Sequence, residues 1–151
     1  MTEPSGPVTA PPFDDGSYAA LAAFRRSLRV FLAFSEQAAI RAGLTPQQHQ
    51  AILAIRGFAT GRGVAIGDLA AHLLLKHHTA VGLVDRLEKA GMVERVTDAT
   101  DRRRVLLRLT PKAEAVLAAL SVTHLAEIRQ NAPDLIALLR ELSEDADAPT
   151  G

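Results

Sequence analysis

Apolar positions recur at two different spacings along this chain, and the switch from one to the other falls inside residues 66 to 110. Ahead of the switch, Leu69 and Leu73 stand one helical turn apart, and Leu83, Val84 and Leu87 repeat at helical spacing, so two short helices each bury one stripe. The second stops at Gly91, the residue best suited to the left-handed conformation past a helix end, with Met92 as its apolar contact. Beyond it, Val93 and Val96 flank polar Glu94 and Arg95, while Val105, Leu107 and Leu109 alternate with Leu106 and Arg108, a period of two that fits a two-stranded ribbon. Helix, turn, helix and ribbon predict a winged helix-turn-helix within a mainly α fold.

The flanks are helical as well. Leu21, Phe24, Leu28, Phe31 and Ser35 follow a 3-4-3-4 spacing, which predicts a helix over 18–42 closed by Gly43, with Arg25, Arg26 and Arg29 on or beside its solvated face. Thr45, Pro46 and Gln48 form a capping box with proline at the first helical position, and Ile52, Leu53 and Ile55 supply the buried face that follows. The Gly-Arg-Gly at 61–63 reads as a flexible turn, since no phosphate-loop pattern follows it. Thr110 and Pro111 repeat the cap-then-proline device and launch a helix with Leu117, Leu120, His124 and Ile128 on one stripe; Pro133 then opens a last helix carrying Leu135, Leu138, Leu139 and Leu142. The first helix and these last two hold more apolar surface than a small winged domain buries alone. A second copy of the chain is the simplest cover for it. The expected organisation is a mobile proline-rich arm over 1–16 and one domain over 17–145. Within it a DNA-binding lobe spans about 45–110, and dimerisation helices span about 18–42 and 111–145. A flexible tail covers 146–151.

The tip of the ribbon, Thr97 to Arg104, holds two aspartates, two threonines and three consecutive arginines. One reading is a polar hairpin loop with side-chain turns at Asp98 and Asp101. The other is a wing that lays arginines along a nucleic-acid backbone or into a minor groove, and it agrees with the helix pair just before it. The candidate DNA-contacting residues are therefore Arg102, Arg103 and Arg104 on the wing, with Lys76, His77, His78, Thr79, Ala80 and Arg86 on the second helix, whose N-terminus also favours an anion.

A net charge of zero from 17 Lys+Arg and 17 Asp+Glu sits oddly with a DNA-binding protein. The distribution changes the picture. Residues 62–112 hold ten Lys/Arg against six Asp/Glu, a balance of +4, which leaves seven against eleven, or −4, elsewhere. One region suits an anion and the remainder does not.

Three runs resemble the MarR-type winged-helix transcriptional regulators: LTPQQHQAILAI at 44–55, LVDRLEKAGMVER at 83–95 and DATDRRRVLLRLTPKA at 98–113. The likeness extends from about Tyr18 to Leu142, and the last run is the most specific, because Asp101 and Arg103 match the family's Asp-x-Arg wing signature. The resemblance implies that Arg103 reaches DNA, that Asp101 holds the wing by a charged pair, that the protein is an obligate dimer, and that a small-molecule pocket lies between the dimer helices and the DNA-binding lobe. Phe31, Phe34, His49 and Phe58 are the ligand-binding candidates, for a small aromatic or phenolic effector. Gly82 departs from the family, many of whose members carry a polar or basic residue there, so the operator sequence does not transfer. Leu74 and Leu75 at the turn between the helices are also unusual.

Other chemistries fare worse. With no cysteine there is no disulfide, thiol switch or Cys-ligated zinc. His72, His77 and His78 raise a zinc-responsive regulator, but adjacent histidines on a helix point apart and no metal-ligand spacing is present, so no metal or cofactor is expected. Neither a Gly-x-Ser-x-Gly elbow nor a glycine-rich phosphate loop marks an enzyme. No apolar run is long enough to span a bilayer and the N-terminus is unlike a secretory signal, which points to a cytoplasmic protein without a membrane partner. The expectation is a sequence-specific regulator of transcription, a repressor, that binds double-stranded DNA as a homodimer on a pseudo-palindromic operator and is released by a small ligand. The competing possibility is a winged helix used only for protein interaction.

Overall fold

A computed structural model of the chain describes residues 14–59 and 61–146. Five helices and three short strands follow in the order α1 (Asp15–Arg41), α2 (Pro46–Phe58), β1 (Val64–Ala65), α3 (Ile66–His72), α4 (His77–Lys89), β2 (Val93–Thr97), β3 (Val105–Leu109) and α5 (Pro111–Ala146). The fold is the mainly helical winged architecture that the spacing predicts, with a three-stranded antiparallel sheet of order β1-β3-β2 in place of a two-stranded ribbon. β1 is only two residues long, so it carries no period to read.

Local chemistry accounts for most of the element ends. The capping box of α2 is complete: Thr45 Oγ1 accepts from the Gln48 amide at 3.1 Å, and Gln48 Oε1 accepts from the Thr45 amide at 2.9 Å. Thr110 Oγ1 accepts from the Ala113 amide at the head of α5 and donates to the Gly91 carbonyl at 2.6 Å, tying the start of that helix to the end of α4. α1 begins earlier than predicted, since Asp14 caps it by accepting from the Ser17 amide at 2.7 Å, which takes Asp15 and Gly16 out of the expected arm. The remainder of that arm and most of the expected tail lie outside the described residues.

α5 is one helix of 36 residues that runs through Pro133, where a new helix was expected. Proline removes one amide donor, and the carbonyl it orphans, that of Arg129, belongs to an exposed residue within reach of solvent.

The core lies in the lobe formed by α2, α3, α4 and the sheet, where Ile52, Ile55, Leu69, Leu83, Leu87 and Leu107 are all under 2% exposed. Burial on this scale contributes about 1.5–3 kcal/mol per large side chain. Leu53 lies outside this core and is exposed, because one residue along a helix rotates the side chain by about 100° from Ile52. On β3 the alternation is imperfect: Leu106 and Leu107 are both buried while Val105 is exposed. Leu107 enters the core, and Leu106 sits beside Gly63 on the opposite face of the central strand. Gly63 has φ +119°, and a Cβ there would stand 2.7 Å from the Leu107 carbonyl oxygen, so the predicted flexible turn is a close backbone contact that only glycine permits. α1 packs along α5. Among the described residues no helix is long and apolar enough to cross a membrane.

Candidate nucleic-acid interface

α4 buries Ala80, Leu83, Val84 and Leu87, the i, i+3, i+4, i+7 stripe of an amphipathic helix. That stripe fixes what remains outside: His77, His78, Arg86 and Lys89 are exposed, and Thr79, Val81, Gly82 and Asp85 are half-buried. Ala80 is 0% exposed and faces the core, so it cannot meet a base edge and leaves the set of candidate contacts. Lys76, in extended backbone and exposed, occupies the position before the helix, which no side chain caps. Lys112 donates to the Ala90 carbonyl at 2.9 Å at the other end of α4.

Leu74 and Leu75 now have an account. The Leu75 amide donates to the Ala70 carbonyl at 2.9 Å and the Leu74 amide to that of Ala71 at 3.2 Å, the paired bonds that end a helix on a left-handed residue. Leu74 is that residue, with φ 54°, where glycine is the usual choice, and its side chain is 93% exposed. Leu75 turns inward and packs on the core.

The wing is built by short hydrogen bonds across its tip. The Asp98 amide donates to the Arg104 carbonyl at 2.9 Å, and Asp98 Oδ1 accepts from the Thr100 amide at 3.0 Å and its hydroxyl at 2.9 Å. Those bonds, the amide first, hold the Asp98 carboxyl below its ordinary pKa. Asp101 Oδ1 accepts from the Arg103 amide at 3.0 Å. Asp101 therefore supports the wing through the backbone rather than through the charged pair that the family resemblance implies. The wing's ion pair is instead Arg104 with Asp68 of α3, at 3.6 Å. Arg102 and Arg103 are exposed, and among the described residues neither guanidinium has a partner. Behind them, Arg95 of β2 donates to Asp85 at 2.7 Å and Glu88 at 2.9 Å, which locks the sheet to α4. These bonds, that from Asp85 foremost, raise the Arg95 pKa above its ordinary value.

The four ligand-binding candidates separate into two places. Phe31, Phe34 and His49 surround His124, with ring centroids 6.2, 5.7 and 4.8 Å away. Phe58 is elsewhere, stacked on His72 at 3.7 Å with the ring planes 5° apart. His124 Nδ1 lies 2.7 Å from the Leu120 carbonyl, which can only accept, so Nδ1 carries a proton, and Nε2 shares a hydrogen bond with the Ser35 hydroxyl at 2.8 Å. Burial first, and His124 second, keep the His49 pKa below its ordinary value. This polar knot joins α1, α2 and α5; Ser35 and His124 are spaced like core positions in the sequence, and nothing there reveals that they pair. Among the described residues no group of three or more His, Asp or Glu side chains is arranged to hold a metal ion.

A buried lobe that presents one open helix face and an arginine-tipped hairpin defines a winged helix-turn-helix protein. Residues 42–104, less than half of the chain, match the MarR family model. BadR of Rhodopseudomonas palustris, named as a transcriptional activatory protein, is 34% identical over 79 residues, or 52% of this chain and 45% of its own length. The chain thus spans about half the length of the curated relatives it matches. Two solved structures share the fold. CouR of Rhodococcus jostii, bound to p-coumaroyl-CoA, has a TM-score of 0.66 at 22% identity, over 85% of this chain and 92% of CouR. A MepR mutant of S. aureus bound to an oligodeoxyribonucleotide has a TM-score of 0.64 at 20% identity, over 90% of this chain and all of MepR, a coverage of 100%. The other curated relatives are likewise named as regulators of transcription.

Proposed function

We propose that this protein is a homodimeric transcriptional regulator that reads double-stranded DNA with the exposed face of α4 and grips the backbone with its wing. The observation that carries this is the set of unpartnered cations that share the lobe: Arg102 and Arg103 on the wing, with Lys76 and Arg86 at either end of the open α4 face beside His77 and His78. Thr79, half-buried, is the outermost hydroxyl near the start of α4 and adds a hydrogen-bonding group with a methyl for thymine. Arg104, held by Asp68, orients the wing and adds charge rather than a free contact. The DNA held by MepR supports the same use of the fold. The dimer is supported by the apolar surface left open on α1 and α5, including a groove of about 640 Å³ between Phe31, Leu135 and Leu139. CouR's aromatic thioester ligand supports release by a small aromatic or phenolic effector. Repression is the expected mode, because a dimer seated over a promoter excludes polymerase; BadR's name makes the position of the operator the deciding variable.

Selection of bound duplexes from random sequence tests the proposal. A two-fold dimer with one α4 per major groove should recover pseudo-palindromes with half-site centres about 10 base pairs apart. Recovery of lone half-sites occupied by one chain, or of no DNA at all, overturns it.

A further inference from the structure

Gly16, Gly57 and Gly67 lie in the first or last turn of their helices, whereas Gly82 stands in the middle of α4. An interior glycine is the least favourable helix residue after proline. Nothing inside the chain asks for this one. Its φ is not positive, and a Cβ built there meets only Arg86 Nη1, the tip of a flexible side chain, at 3.9 Å, an ordinary contact. Gly63 is the opposite case, since its Cβ would collide with a backbone carbonyl.

The place of Gly82 is what singles it out. The buried stripe of Ala80, Leu83, Val84 and Leu87 points into the lobe, and at about 100° per residue Gly82 lies roughly 150° from its centre, on the opposite face. His78 and Arg86, both exposed, stand one turn before and one turn after it, at i−4 and i+4, so the open face carries a notch between two long side chains. Asp85 and Glu88, the acidic residues of α4, are held by Arg95 of the sheet at 2.7 and 2.9 Å. The notch itself makes no hydrogen bond, because inside a regular helix each amide and carbonyl is spent on the fourth residue before or after it. What fits it is small and apolar. On the floor of the major groove the group of that kind is the C5-methyl of thymine, which stands out among edges that otherwise present donors and acceptors.

We propose that Gly82 is the seat of a thymine methyl, the position at which the backbone of α4 comes against a base edge with no side chain between them. It rests on the reading of α4 proposed above and adds a base to it: one thymine in each half-site is recognised by a missing side chain. An alanine Cβ would take the space of the methyl and hold the helix off the groove floor. A glycine that weakens its helix, and that the fold would exchange for alanine, is thereby accounted for by what the helix meets.

The test combines thermal melts of the full chain with titrations of a duplex selected by the native protein, each thymine of the half-site being replaced in turn by uracil. Gly82→Ala should raise the unfolding midpoint by about 2–4 °C, the gain of a better helix former. It should weaken the thymine duplex by about tenfold, the effect of overfilling a packed contact, with an unchanged salt slope because no phosphate contact is altered. At one position uracil should weaken the native protein by about fourfold, the burial of one methyl, yet strengthen Gly82→Ala, whose added methyl fills the vacated space. Gly57→Ala, in α2, should leave DNA affinity unchanged. Native affinity for the thymine duplex in Gly82→Ala, indifference of the native protein to uracil at every position, or a lowered melt that makes the glycine a need of the fold would each overturn the assignment and leave DNA recognition standing. A native protein that selects no duplex overturns both.

Discussion

The lobe from α2 to β3 and the pair α1–α5 draw on the same aliphatic residues and finish their surfaces in opposite ways. In the lobe, Ile52, Leu69, Leu83, Leu87 and Leu107 are at most 1% exposed, and each stripe is used up within one chain. On the long helices, Leu28, Leu32, Val122, Leu125, Ile136 and Leu139 stay between 43% and 71% exposed although their spacing is as regular. A helical period shows that a face is buried and says nothing about which chain buries it. The lobe closes on itself; the long helices leave apolar faces open, which the proposed second copy would cover.

That contrast breaks most visibly at its closed end. Leu87→Ala removes a fully buried side chain and should cost about 2–5 kcal/mol in urea-monitored stability, whereas Leu125→Ala, half out in water, should cost far less in a single chain. At the open end, changing Leu138 and Leu142 together to aspartate should give monomers by sedimentation. DNA affinity should fall about 100-fold or more, because linked half-sites lose their mutual effective concentration. A dimer that persists in this variant would place the interface elsewhere.

Smaller effects sharpen the comparison within the lobe. Leu74 is the non-glycine residue at positive φ among those described, and it packs against nothing. Leu74→Gly should therefore stabilise by about 1 kcal/mol in thermal melts, the strain of a left-handed leucine outweighing the entropy of glycine. The junction between the two regions should respond to acid. His49 has its pKa held below the ordinary 6.5, so the unfolded chain takes up a proton first as pH falls through that value. The contribution of His49 is complete above pH 6.5 and is lost as pH drops toward its folded-state pKa. The denaturation midpoint should thus decline more between pH 7.5 and 5.5 in the native protein than in His49→Phe.

How much of this was legible in the sequence depends on the range of the interaction. Thr45, Pro46 and Gln48 announce their helix because a capping box closes within four residues, and Gly91 ends α4 by a rule as local. Pro133 misleads, since whether proline breaks a helix depends on how the carbonyl of Arg129 is solvated, which no local rule records. Ala80 looks like a contact residue by its place near the head of α4, until the buried stripe of Leu83, Val84 and Leu87 fixes the rotation of the helix. The candidate sites depend on longer reach. Arg104 lies 36 positions from Asp68, Ser35 lies 89 from His124, and Phe58 shares an aromatic-poor helix with His49 yet stacks on His72. Only the fold brings such pairs together.

In the proposed complex the wing grips DNA through Arg102 and Arg103, whose guanidiniums have no partner among the described residues. Fluorescence anisotropy of a selected duplex, measured across salt concentrations for the native protein and for Arg103→Ala, tests it most directly. Arg103→Ala should bind every sequence tried more weakly, with a salt slope smaller by about one unit and the folded dimer intact. An Arg103→Ala protein that remains a folded dimer and keeps both its affinity and its salt slope would contradict it.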